Sequence, residues 1–185
     1  MTIFKVITIA AAVIAVALAA IAAYAATRPG QMEVRRSTSI KASADKIFPL
    51  INDLHVMNSW NPFDKMDPST KGSYSGPAAG RGAHYDFESA KAGSGSLEIV
   101  DTSPSSRVVM RLLMTRPLAA DNRVTFTLTP EGGATRVTWA MEGESPFLAK
   151  VLHLFVNVDK MVGGSFEAGL ADLKGLAERS ASPTS

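Results

Sequence analysis

The chain has no cysteine and only three histidines in 185 residues. The first absence excludes disulfides and thiolate-bound metals, and fits either side of a membrane. His55, His84 and His153 are scattered without ligand spacing, so no metal centre is expected. Charge is sparse as well: 19% of residues are charged, the net charge is +2, and the pI is about 9.0. No basic run exceeds Arg35-Arg36, so nucleic acid is not an expected partner. No G-x-S-x-G, phosphate loop or dinucleotide fingerprint occurs, and Gly80-Arg81-Gly82 reads as a hairpin feature. No catalytic residue and no cofactor is expected on these grounds, which weighs against an enzyme without deciding the matter.

What the chain has in quantity is apolar residues at its start. Val6 to Ala26 are uncharged and rich in Ala, Val and Ile. At ~1.5 Å per residue such a run reaches roughly 30 Å, the hydrocarbon thickness of a bilayer. Lys5 precedes it, Thr27-Arg28-Pro29-Gly30 stops it, and Tyr24 stands at an interfacial position. Its length favours an uncleaved single-pass anchor over residues 1–28. Ala23-Tyr24-Ala25 fits a processing site, so a cleaved signal segment is the competing reading, and a buried Ala-rich helix is a third. A folded domain after an export-like segment is expected on the outer, extracytoplasmic side. Arg28, Arg35, Arg36 and Lys41 pull the other way under the positive-inside rule.

About 155 residues remain, enough for one domain with a real core. Met32 to Ile40 alternates as a half-buried strand. Ser43 then opens a short helix in which Pro49 limits length, and Leu54 to Trp60 makes a second short turn. Lys71 to Gly82 is a Gly/Pro/Ser-rich hairpin zone. Alternating segments recur around Tyr85-Phe87, Leu97-Ile99, Val108-Met114, Val124-Leu128 and Val137-Met141, giving six or seven antiparallel strands. The period then changes. Ser145-Pro146 opens a helical stripe, and Asp159 is placed as the cap of a longer helix carrying Val162, Phe166, Leu170 and Leu173. The small polar tail, 179–185, is expected to be disordered. A curved sheet with one apolar face covered by the last helix is the natural α+β solution.

These pieces together resemble the START-like, or SRPBCC, superfamily of polyketide cyclase/dehydrase and lipid-transport type, over residues 32–178. The resemblance rests on Arg36-Ser37, Ile40-Lys41-Ala42, Asp45-Lys46-Ile47-Phe48, Trp60-Asn61-Pro62, Asp67-Pro68 and Gly76-Pro77. It continues through Gly80-Arg81-Gly82, Gly93-Ser94-Gly95, the strand from Gly133 to Trp139 and the helix from Gly164 to Lys174. It implies a helix-grip fold (START/Bet v 1-like), a sheet wrapped round a long C-terminal helix with an apolar cavity between them. The fold hosts carriers, cyclases and receptors alike, so it does not fix an activity.

The inward faces then supply the expected lining: Tyr85, Phe87, Met110, Met114, Phe126, Trp139 and Met141, with Phe166 and Gly163 from the helix. Trp60 stands at the mouth or plugs the core. Arg36, Asp67 and Arg111 are the polar candidates; the arginines serve either a ligand carboxylate or the surface. The leading expectation is a membrane-anchored domain binding a small hydrophobic or lipid-like ligand, with a cavity of about 300 Å³ or more. The alternatives are a cyclase- or hydratase-type enzyme using that cavity, and a non-catalytic envelope protein acting through protein contacts. Oligomeric state is left open.

Overall fold

A computed structural model describes residues 2–27, 29–145, 147–152, 154 and 157–181. The apolar start forms one helix, α1 (Thr2–Ala26). Ile3–Ala26 has a mean hydropathy of 2.8 and is long and apolar enough to cross a membrane. After it, the alternating segments become strands because each has one face to bury. They are β1 (Gln31–Ile40), β2 (Lys71–Ser75), β3 (His84–Ser89), β4 (Gly93–Ser103), β5 (Arg107–Arg116), β6 (Ala120–Glu131) and β7 (Ala134–Glu144). All pair antiparallel in one sheet of order β1-β7-β6-β5-β4-β3-β2. The hairpin zone thus contributes β2, an edge strand. The β4–β5 register shifts twice, with Thr115 of β5 the extra residue opposite Ser94/Gly95 and Val100 of β4 the extra residue between Ile99 and Asp101, and such irregularities bend a sheet.

Between β1 and β2 lie α2 (Ala44–Asn52), α3 (Leu54–Trp60) and α4 (Pro62–Met66). Ser43 occupies the cap position of α2 without a side-chain bond, whereas Asp53 caps α3 by accepting from the His55 and Val56 amides. Asn61 caps α4, whose first residue is Pro62. After β7 come α5 (Phe147–Leu152) and α6 (Val158–Ala181). The Ser145-Pro146 start expected for α5 involves residue 146, outside the described residues, as is His153.

α6 corrects two expectations. Its cap is Asn157, whose Oδ1 accepts from the Lys160 amide at 2.8 Å. Asp159 is instead held by Arg36 of β1 at 3.0 Å. The helix also runs past residue 179 to Ala181, so the start of the expected tail is helical; 182–185 lie outside the described residues.

The core fills the space between the concave face of the sheet and the helices. Ile47, Ile51 and Leu54 meet Ile99, Met110, Phe126 and Val137, while Phe166, Leu170 and Leu173 close over them from α6. Gly169 lets α6 approach closely: a Cβ there would lie 2.8 Å from Pro62 and from the Trp139 ring. The registers gather one set of strand ends, those at Gln31, Lys71, Ser89, Gly93, Arg116, Ala120 and Glu144, along one edge of the sheet. α1 joins the domain at this edge, where the Ser145 amide donates to Gly30 at 2.8 Å and α5 packs against α1.

Candidate functional site

Strand pairing writes a row of four side chains across the sheet. Tyr85 stands opposite Leu97, Leu97 opposite Leu112, and Leu112 opposite Asn122, with Gly143 beyond. A second row, Phe87, Gly95 and Met114, runs beside it toward the edge just described. Paired residues point to the same face. Above both rows lie Val162 and Phe166 of α6 and Met57, Phe63 and Asp64 of α3 and α4. The space enclosed is a cavity of about 220 Å³. Its inner wall is buried: Tyr85, Leu97, Asn122, Trp139, Met141 and Phe166. Its rim is half-buried: Phe63, Thr70, Phe87, Ala92, Met114 and Val162.

The volume falls below the expected 300 Å³. An apolar cavity of about 150 Å³ is enough for benzene, so this one has room for a substituted ring or a short chain.

Two polar groups face each other along the row. At one end the Tyr85 hydroxyl donates to Asp64 Oδ1 at 2.9 Å, and Asn61 Nδ2 donates to Asp64 Oδ2 at 2.5 Å. Burial pushes the Asp64 carboxyl above its ordinary 3.8, with those two donors working against the rise. Burial also raises the Tyr85 phenol, and the Asp64 charge beside it adds to the rise. The ring is fixed by stacking on Tyr74, centroids 4.6 Å apart, and by a gap at Gly72, where a Cβ would come within 2.4 Å of it.

At the other end stands Asn122, 6% exposed. Its amide has no hydrogen-bond partner among the described residues, yet it lines the cavity. Gly143 makes room for it, since a Cβ there would sit 1.9 Å from Asn122 Oδ1. The buried polar atom left without a partner among the described residues in this wall is Trp139 Nε1; an unpaired buried donor costs about 1–3 kcal/mol, which a hydrogen-bond acceptor reaching it can return.

Of the expected lining, Tyr85, Phe87, Met114, Trp139, Met141 and Phe166 come together around this space. Trp60, Met110 and Phe126 lie beneath it in the packed core. Trp60 meets Phe126 and Trp139 edge-on and donates from Nε1 to the Leu50 carbonyl at 2.8 Å, so it is the plug of the core. Gly163 faces Arg36 and not the cavity.

The three polar candidates are placed elsewhere too. Arg36 clamps β1 to α6 through Asp159 at 3.0 Å and Glu167 at 2.7 Å, and these bonds raise its pKa. Asp67 is buried and ties a loop together, accepting from Ser69, Ser89 and the Ala90 amide, which hold its carboxyl well below the usual range. Arg111 is exposed and pairs with Asp121 on the neighbouring strand at 2.6 Å. The functional reading of the sequence passes over Asp64 and Asn122, while Asn61, expected with Trp60 and Pro62 at the cavity mouth, does line the cavity. Asn122 carried a signal, being the polar member of the inward set Asn122, Val124, Phe126, Leu128.

The sequence matches the family described as polyketide cyclase / dehydrase and lipid transport over residues 31–178. Among solved structures, norcoclaurine synthase from Thalictrum flavum, in complex with dopamine and hydroxybenzaldehyde, superposes with a TM-score of 0.64 at 13% identity, covering 83% of this chain and 90% of that one. A protein from Chromobacterium violaceum gives 0.57 at 15%, covering 82% and 99%, and one from Thermobifida fusca 0.58 at 21%, covering 80% and 93%. At these identities the likeness is one of fold. No curated protein sequence matches the chain.

Proposed function

Because the chain belongs to the polyketide cyclase/dehydrase and lipid transport family, a ligand-binding domain, we propose that it holds one small, mainly apolar molecule in the cavity between sheet and α6. The molecule carries a polar group that meets the Asn122 amide. Burial of its apolar surface, at roughly 25 cal/mol per Å², provides the affinity, and Asn122 and the Asp64–Tyr85 pair at either end fix its orientation. α1 tethers the domain to a membrane, and we place the domain on the extracytoplasmic face. The observation that carries the reading is a mainly apolar cavity with Asn122 at one end, the Asp64–Tyr85 pair at the other, and in its wall Trp139, whose buried Nε1 has no hydrogen-bond partner among the described residues. Native mass spectrometry of the protein purified from its own host tests it. A small apolar molecule at near-stoichiometric amount supports it. An empty protein whose tryptophan fluorescence, from Trp60 and Trp139 together, is unmoved by single-ring phenols refutes it.

One observation favours a second reading, a cyclase- or hydratase-type enzyme. Asp64 combines a raised pKa with a phenol at 2.9 Å at the wall of a mainly apolar cavity, which suits general acid–base work. Under this reading Asp64→Asn keeps ligand binding and loses turnover; under the carrier reading it changes affinity alone.

A further inference from the structure

Outside α1, the described large apolar side chains left exposed are Met66, Tyr74, Leu118, Phe147 and Met161. Four of these stand at one end of the molecule. Met66 ends α4, beside Asp67, which is bonded to Ser89 and Ala90 at the end of β3. Leu118 lies in the turn between β5 and β6, Phe147 opens α5 directly after β7, and Met161 is in the first turn of α6. This is the edge from which α1 departs and toward which the rim of the cavity opens, through Thr70, Ala92, Met114 and Val162. The opposite edge carries small and polar turns, Ser103 to Ser106 and Pro130 to Gly133.

Chain reach sets how far this edge can lie from a bilayer that holds α1. Only residues 27–30 separate α1 from β1. Four residues span at most roughly 14 Å fully extended, and the interfacial layer itself is about 5–7 Å deep on each side. The link is shortened further by the packing of α5 on α1, with Ala25 fully buried. Lys91, Lys150 and Lys160, all at this edge, have no carboxylate partner among the described residues. Amines so placed suit anionic headgroups.

We propose that this edge of the sheet rests on the bilayer that holds α1, with Met66, Leu118, Phe147 and Met161 dipping into its interface, so that the cavity exchanges its ligand with the membrane. The inference rests on α1 being a membrane helix. It narrows the ligand class to small apolar molecules that partition into lipid.

The chain has no cysteine, so single-cysteine variants of the full chain report one position each. Met66→Cys, Leu118→Cys and, at the far edge, Thr129→Cys are labelled with an environment-sensitive dye and reconstituted in phosphatidylcholine/phosphatidylglycerol vesicles. At 66 and 118 the expected result is a blue shift, quenching by lipid-borne nitroxide and loss of quenching by iodide; at 129 the reverse. A chain that floats with the vesicles while 66 and 118 stay as open to iodide as 129 overturns the docked orientation and leaves the anchor standing. A chain that does not float with vesicles overturns both.

Discussion

The Arg36 guanidinium occupies the space that a side chain on Gly163 would need: a Cβ there would lie 2.0 Å from Nη2. The missing side chain lets the guanidinium reach Asp159 and Glu167 on either side of it. The same turn of α6 presents Val162 and Phe166 to the cavity, so the clamp sets the height of the cavity roof.

Gly163→Ala displaces the Arg36 guanidinium from Asp159 and Glu167 and lowers stability. Its neighbour behaves oppositely. A Cβ at Gly164 meets nothing within 4 Å, so Gly164→Ala raises stability by up to ~1 kcal/mol through helix propensity. Urea midpoints of the two variants separate the space-making glycine from the merely tolerated one.

Asn122→Leu replaces an unpaired amide with a side chain of similar size. Stability stays level or rises by about 1 kcal/mol, since nothing within the protein loses a partner. Affinity for a ligand with a polar end falls by about 1–3 kcal/mol, while a plain hydrocarbon of the same size binds as well or better. Titration calorimetry with toluene and p-cresol reads the contrast. Equal losses for both would remove Asn122 from the site.

Asp64 and Asp67 answer acid in opposite directions. The folded chain raises the Asp64 pKa, so it binds more protons than the unfolded chain above 3.8, and stability falls as pH rises through that window. The folded chain lowers the Asp67 pKa. Its contribution is complete above the unfolded value and is lost as pH falls toward the folded one. Asp64→Asn is therefore more stable than the parent at neutral pH, with the gain vanishing in acid. Asp67→Asn is less stable at neutral pH, with the loss shrinking in acid. Unfolding curves across a pH series give both signs.

Tyr85→Phe takes one of two side-chain donors from a half-buried carboxylate. Stability drops by about 1–2 kcal/mol at neutral pH, and the Asp64 pKa climbs further, which a carbon-detected NMR titration of its side chain follows. A pKa that stays put would mean that the phenol does not hold the carboxylate in solution.

The layers of the fold were legible because they rest on period. Alternation marked β1 and β3 to β7, and a three-to-four spacing marked α6, since burial of one face imposes both patterns. The inward set was legible for the same reason, and six of its members do line the cavity. Period says which face a residue takes but not how high on that face it stands. Met110 and Phe126 share the inward face with Met114 and Val124, yet lie toward the packed end. Polar roles were harder to read, because they depend on partners distant in sequence. Arg36 meets Asp159 and Glu167 more than a hundred positions away, and Asp64 meets Tyr85 across a loop, a helix end and a strand. β2 was hidden by its own composition, Lys71-Gly72-Ser73-Tyr74-Ser75, an exposed edge with no apolar side to alternate.

The row Tyr85–Leu97–Leu112–Asn122 places one residue on each of four adjacent strands, all at the same level. Adjacent strands are ~4.8 Å apart, so backbone hydrogen bonds graduate the floor of the cavity in fixed steps. Moving the amide from position 122 to 112 would bring the two polar ends one step closer, and exchanging Leu97 for a polar residue would bring them closer again. Each change leaves the strands, turns and helices as they are. Relatives built on this sheet can thus be sorted by the length of molecule they measure, simply by noting on which strand the second polar residue falls.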